Sequence, residues 1–320
     1  MSDPAHDKTD QLLAEMTERI YEIYEQAAFE MKIKAEKYMD WFKETDRKKR
    51  QQWHGGQITD EEYRQWRGSH LLTGDRWLDM ADVLAADMVH SDEIAASVIN
   101  GYQPEVYAEN HNYETYRIER KTMIETSYTL YNAQAVERLV RDHPDLFPIK
   151  AVANVPKLER WNMELVRSAM TQSILQGETM EEIANRLSQT VTTRNRTAAL
   201  RDARTMTTST ENGGRMDAMR RAEEMGIKLK KGWLATLDGR TRHSHRLVDG
   251  EIVELNEEFS NGCMFPGDPN ADPREVYNCR CRLLEDITEE QFTTMPRHSR
   301  LGSMSYDEWK GAHSAGTNQK

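Results

Sequence analysis

The sequence predicts a mainly α-helical protein, with a long-helix N-terminal region followed by a small α+β C-terminal subdomain. Three observations carry that reading. Apolar residues recur at helical spacing from the N-terminus to about Gly226, with few glycines or prolines to break them. Beyond Gly226 the pattern changes to short alternating runs. All three cysteines of the chain fall in that last stretch, together with two histidines two residues apart.

Composition sets the outer bounds. A chain of 320 residues has room for one large or two ordinary domains. A hydrophobic fraction of 38% and a mean hydropathy of -0.84 describe long helices with broad solvated faces, or a subunit that lives inside an assembly. No apolar run approaches the roughly 18 residues of a membrane span, and MSDPAHDKTD lacks the basic-then-apolar pattern of a signal peptide, so no membrane partner is expected. An odd number of cysteines argues for a reducing compartment rather than a secreted disulfide framework. The net charge of -11 argues against wholesale coating of nucleic acid.

Residues 1–150 are expected to form a helical region. Thr9 or Asp10 is placed to cap a first helix whose apolar residues Leu12, Met16, Ile20, Ile23, Ala27, Met31, Tyr38 and Phe42 recur at helical spacing. Neither Gly nor Pro interrupts it before His54-Gly55-Gly56, which predicts about 40 residues, or roughly 60 Å. A helix that long must lie on a partner helix or another subunit, because propensity alone cannot hold it. Thr59 and Glu62 make a capping box that opens a short helix through Trp66. One or two helices follow over 75–107, and another over 116–142 that carries Ile124, Tyr128, Tyr131, Ala135 and Leu139. At that spacing Tyr113, Tyr116, Tyr128 and Tyr131 read as core rather than as a ladder for stacked bases.

Pro144, Pro148 and Pro156 mark a linker, which sets a boundary near residue 150. Residues 151–227 continue as helix. The first runs from Lys157 to Gln176 and is closed by Gly177; a second opens at Met180 with the capping box Thr179–Glu182; a third runs from Thr192 or Thr193 to Gly226. The stretch Thr205 to Gly214 is poor in large apolar groups, and its two glycines should each weaken a helix by about 1 kcal/mol. A tight helix crossing, where small side chains let backbones approach, accounts for them.

Residues 228–290 are expected to form the α+β subdomain. Runs at 228–237 and 251–255 alternate as strands do, and 277–287 places the Cys279-x-Cys281 pair on a third, where both sulfurs would share a face. The long loop between, with Gly262, Pro266, Gly267, Pro269 and Pro273, has a length that in a compact domain is either functional or pinned. Thr288 starts a short helix, and residues 291–320 read as short helices, one capped by Ser305 and Glu308, and a mobile tail.

Thiolates and imidazoles at turn-linked spacing suit zinc, which takes soft sulfur and borderline nitrogen in a tetrahedron. The expected ligands are His245, Cys279 and Cys281, with Cys263 as first choice for the fourth and Asp238, His243 or water as alternatives. A closed, Cys-rich set in a subdomain with few apolar residues points to a structural ion. No Gly-rich phosphate loop, nucleophile elbow or His-Glu-x-x-His pattern occurs, so no enzyme is expected. The most basic part of this acidic chain contains Arg194, Arg196, Arg201, Arg204, Arg220 and Arg221, which are the candidates for contact with DNA phosphate.

The order Trp233, Asp238-Gly239-Arg240-Thr241-Arg242, His245, Asp249-Gly250, Pro266-Gly267-Asp268-Pro269 and Asn278-Cys279-Arg280-Cys281 resembles the phage Mu F-like head morphogenesis proteins. The resemblance reaches back more weakly through Ala203-Arg204-Thr205 to about Trp161; where the family has a glutamate next, this chain has Met206. It implies a minor head protein in the virion head near the portal, and in the host cytoplasm during assembly. Such a protein would bind portal and capsid interior in several copies and handle packaged DNA. The preference for His245 over His243 also follows from the family's histidine. A metal-dependent nuclease or toxin-related enzyme built on the His/Cys cluster is the alternative. The roughly 40 residues after Cys281 are too few for a fused toxin domain.

Overall fold

The computed structural model describes residues 3–71, 75–126, 130–142, 154–287 and 296–316. The fold class is as the sequence predicts: long helices, then a small sheet among short helices. The elements are α1 (Pro4–His54), α2 (Asp60–Leu71), α3 (Asp75–Thr122), α4 (Ala133–Asp142), α5 (Val155–Leu175), α6 (Met180–Glu224), β1 (Lys230–Leu234), α7 (His243–Leu247), β2 (Ile252–Glu254), α8 (Pro273–Val276), β3 (Arg282–Asp286), α9 (Ser299–Ser303) and α10 (Tyr306–Gly316).

Local chemistry sets most of the ends. Asp3, rather than Thr9 or Asp10, caps α1: its carboxylate accepts the His6 N–H, and Pro4 follows where a missing N–H costs nothing. Thr9 instead returns its hydroxyl to the Ala5 carbonyl. The capping boxes at Thr59–Glu62, Thr179–Glu182 and Ser305–Glu308 all form. Gly177 closes α5 with φ +67°, in the left-handed region that glycine enters without strain.

Two expected breaks are absent. α3 runs unbroken through 107–116, because its low-propensity polar residues have buried partners: Asn110 donates to Thr9 and to the Val106 carbonyl, and Asn112 donates to the Tyr131 carbonyl. It stops at Thr122, before Met123 at φ +56°, so the helix expected over 116–142 is divided. Tyr128 lies outside the described residues. α6 passes through 189–193 without a cap, since Thr192 hydrogen bonds back to the Ser188 carbonyl.

The chain forms two compact units, each drawing on several of the four sequence regions. One comprises 17–98 and 152–200, the other 1–16, 99–151 and 201–320. In the first, Ile20, Met31, Phe42, Leu84, Met88, Val166, Met170, Ile183 and Leu187 are buried on their helices. In the second, β1 is central in an antiparallel sheet of order β2-β1-β3, with Lys231 opposite Val253 and Trp233 opposite Leu283. The core there joins Ile118, Met216, Met219, Ile227, Trp233, Phe259, Phe265 and Leu283. Tyr113 and Tyr116 are core residues against Tyr306 and Trp309. α10 carries Trp309, buried and bonded to Glu119, and continues to Gly316, into the stretch from Gly311 that the sequence reads as a tail.

Within this second unit α3 and α6 meet closely. A Cβ on Gly214 would stand 2.8 Å from the Tyr107 carbonyl oxygen and 3.3 Å from the His111 nitrogen, whereas one on Gly213 would meet nothing within 4 Å. One glycine of the pair makes the crossing.

Candidate metal centre

The site is built where the end of β1, the single-turn α7 and the segment entering β3 meet. α7 turns His245 inward and leaves His243 exposed, since two residues along a helix rotate a side chain by about 200°. Cys279 and Cys281 do not lie on a strand; they precede β3, after Asn278 at φ +53°. Asparagine is one of the few side chains that tolerate that backbone conformation.

What holds this non-repetitive segment is the middle of α6. The Thr205 hydroxyl accepts the Asn278 N–H at 3.0 Å, and the Thr208 hydroxyl donates to the Cys279 carbonyl at 2.6 Å. Asn212 donates to the Cys281 and Pro266 carbonyls, each at 3.0 Å, and accepts the Leu283 N–H at 2.8 Å. The small polar residues of Thr205–Gly214 thus serve as a backbone template as well as a crossing surface. Gly267, at φ +82°, lets the long loop approach: a Cβ there would be 3.0 Å from the Ser209 nitrogen.

Among the described residues, His245, Cys279 and Cys281 form the one group whose ligating atoms lie within 4.8 Å of one another, and all three are buried. His245 Nδ1 is 3.3 Å from Cys281 Sγ and 3.8 Å from Cys279 Sγ. Its Nε2 lies 3.0 Å from Glu275 Oε2, out of line for a hydrogen bond and with no other partner. Glu275 is held in turn by the Ser244 hydroxyl at 2.8 Å. The ring of Trp233 meets the imidazole edge to face at 5.3 Å. The hydrogen bond from Cys279, and then His245, hold the Cys281 thiol well down against the cost of burial; Cys279, as the donor in that pair and buried, is raised.

Cys263 is not brought to this group. It is fully buried in the apolar cluster with Phe259 and Phe265, and burial pushes its thiol up to about 12. Spacing along a loop does not say which way a side chain faces, and here the thiol faces hydrocarbon. Asp238 is also committed elsewhere, to a two-pronged pair with Arg280 and to the Arg240 N–H.

The arginines divide. Arg194, Arg204 and Arg220 are exposed. Arg196 lies over the Tyr21 ring, Arg201 pairs with Asp202 and lies over Tyr277, and Arg221 pairs with Asp217 and lies over Tyr131. Arg215, which shares the same basic stretch, is fully buried.

Residues 164–284 match the family described as Phage Mu protein F like protein, which bears out the resemblance read from the sequence. The chain is 26% identical over 245 residues to a minor head protein of Bacillus phage SPP1, a match covering 72% of this chain and 76% of that protein. It is 28% identical over 253 residues to an NAD(+)–arginine ADP-ribosyltransferase of Enterococcus faecalis, covering 75% of this chain but only 50% of that protein. No solved structure matches the chain.

Proposed function

We propose that a chain carrying a Phage Mu protein F-like segment over 164–284 works as a minor head protein, binding the portal and the capsid interior during head building without catalysis. The observation that carries this reading is the similarity to the SPP1 minor head protein, which takes in most of both chains. The structure supplies a surface suited to it. On α1, Phe29 is 62% exposed and Ile33, one turn on, is 47% exposed, beside buried Met31 and Ala35. A helix that already buries one apolar stripe and exposes further large apolar side chains has more to cover than its own fold covers.

Deleting everything before His54 would remove the buried Ile20, Met31 and Phe42, and so would report folding rather than binding. The sharper test pairs Phe29→Asp with Ile33→Asp, both on the solvent side. Copies per purified head should fall at least about tenfold, the equivalent of 1.4 kcal/mol, with the melting temperature of the free chain unchanged. Undiminished incorporation would take portal and capsid binding away from this face.

Packaged DNA is the further partner in this reading, reached by Arg194, Arg204 and Arg220. Binding of duplex DNA by the full chain should weaken steeply as salt rises, because each neutralised phosphate releases counterion. Binding that is absent at low salt, or indifferent to salt, removes DNA from the account.

The transferase activity named for the Enterococcus faecalis relative is not carried over, nor is a metal-dependent nuclease adopted. His245, Cys279 and Cys281 are each at most 3% exposed, which leaves a protein or nucleic-acid substrate no approach to them.

A further inference from the structure

We propose that His245 Nδ1, Cys279 Sγ and Cys281 Sγ hold one zinc ion, with Glu275 fixing the imidazole from behind and Cys263 taking no part. This inference is independent of the head-protein reading. Around a tetrahedral ion with Zn–S about 2.3 Å and Zn–N about 2.0–2.1 Å, neighbouring ligand atoms stand roughly 3.5–3.8 Å apart. The two nitrogen–sulfur separations here are 3.3 and 3.8 Å. Both sulfurs converge on the same nitrogen, His245 Nδ1, at the spacing of ligands around one tetrahedral ion. A cation between them satisfies all three atoms at once.

The far side of the ring gives the second observation. Nε2 is buried, has no aligned hydrogen bond, and lies 3.0 Å from the Glu275 carboxylate. Metal on Nδ1 forces the tautomer that carries its proton on Nε2, and that proton then has Glu275 as its acceptor. A carboxylate behind a ligating histidine fixes the ring and raises its basicity. Glu275 is therefore a positioning residue, itself anchored by Ser244. Two thiolates and an imidazole select zinc over the hard cations. The ion would tie α7 to the segment that leads into β3, and a small exogenous donor such as water would complete the tetrahedron.

The test uses the full chain, purified without chelator, incubated with zinc and desalted. One equivalent should remain, and chelator should lower the melting temperature. X-ray absorption at the zinc edge should show two sulfurs near 2.3 Å, with nitrogen or oxygen near 2.0–2.1 Å completing the shell. Cys263→Ala should keep its full equivalent, while Glu275→Gln should keep the same shell but bind roughly 10–100-fold more weakly. Retention of less than roughly a tenth of an equivalent by the wild-type chain would overturn the site. Three sulfurs in the shell would overturn the exclusion of Cys263. An unchanged affinity in Glu275→Gln would remove Glu275 from its role. The decisive stoichiometry and absorption readings need no variant to fold.

Discussion

Replacing Arg215 by methionine is expected to cost about 3–5 kcal/mol, the range for removing one partner from a buried ionic group. Arg215 is fully buried on α6, and its guanidinium reaches Asp3 at 2.8 Å, Glu211 at 3.3 Å, Glu114 at 3.7 Å and the Asn110 side-chain oxygen at 3.0 Å. Around it, Arg117 and Lys121 pair with the buried Glu285, and Arg282 pairs with Asp3. Asp3, Glu114, Glu211 and Glu285 thus face Arg117, Lys121, Arg215 and Arg282, with His6 also on Glu211 at 2.9 Å. Methionine fills much of the same volume but leaves one negative charge uncompensated where water cannot reach it. Asp3 also caps α1, so the loss reaches the start of that helix.

The pH dependence carries a sign that separates this account from simple loss of packing. Burial, and then the neighbouring Glu285, raise the Glu114 carboxyl well above the usual range. A carboxyl whose folded pKa is raised gives its full contribution below its unfolded pKa and loses it as pH rises through the folded value. Without Arg215 that upward push grows. The difference in unfolding free energy between wild type and Arg215→Met should therefore be largest near neutral pH and shrink as pH falls toward about 4. A cost below about 1 kcal/mol at neutral pH, or one that does not change with pH, would show that the cluster does not depend on this guanidinium.

Where the sequence was legible, the signal was local or periodic. Capping boxes are complete within four residues, so Thr59, Thr179 and Ser305 could be placed without knowledge of their surroundings. The change of period after Gly226 located the sheet, and His245 with the Cys-x-Cys pair located the cluster. What was hidden depends on residues far apart in the chain. Asn110 and Asn112 look like a helix break until Thr9 and Tyr131 give their side chains partners. Thr205, Thr208 and Asn212 look only small and polar until the segment at 278–283 lies on them. Arg215 counts as one more surface charge until the N-terminus closes over it. Cys263 shows the limit most plainly, because three cysteines in one stretch suggest one ion, and only the fold turns one of them into hydrocarbon.

Gly214 and Gly213 should respond in opposite directions to the same substitution. Both lie in the interior of α6, where alanine is better than glycine by about 0.8–1.0 kcal/mol. At Gly213 nothing stands within 4 Å of the new methyl, so Gly213→Ala should gain up to about 1 kcal/mol. At Gly214 the methyl would be 2.8 Å from the Tyr107 carbonyl oxygen, and neither atom belongs to a side chain that can swing away. Relief requires α3 and α6 to part, and the bonds that join them would lengthen with them. These include the Tyr107 hydroxyl to Asp217 at 2.7 Å. Overpacking costs about 1–3 kcal/mol in well-packed interiors and more where the obstacle is backbone, so Gly214→Ala should lose about 2 kcal/mol net despite its better propensity. Urea melts of the two single variants beside wild type test this, with the midpoint rising for one and falling for the other at unchanged slope. Equal gains at both positions would mean that the helices do not approach as closely as the backbone at Gly214 requires.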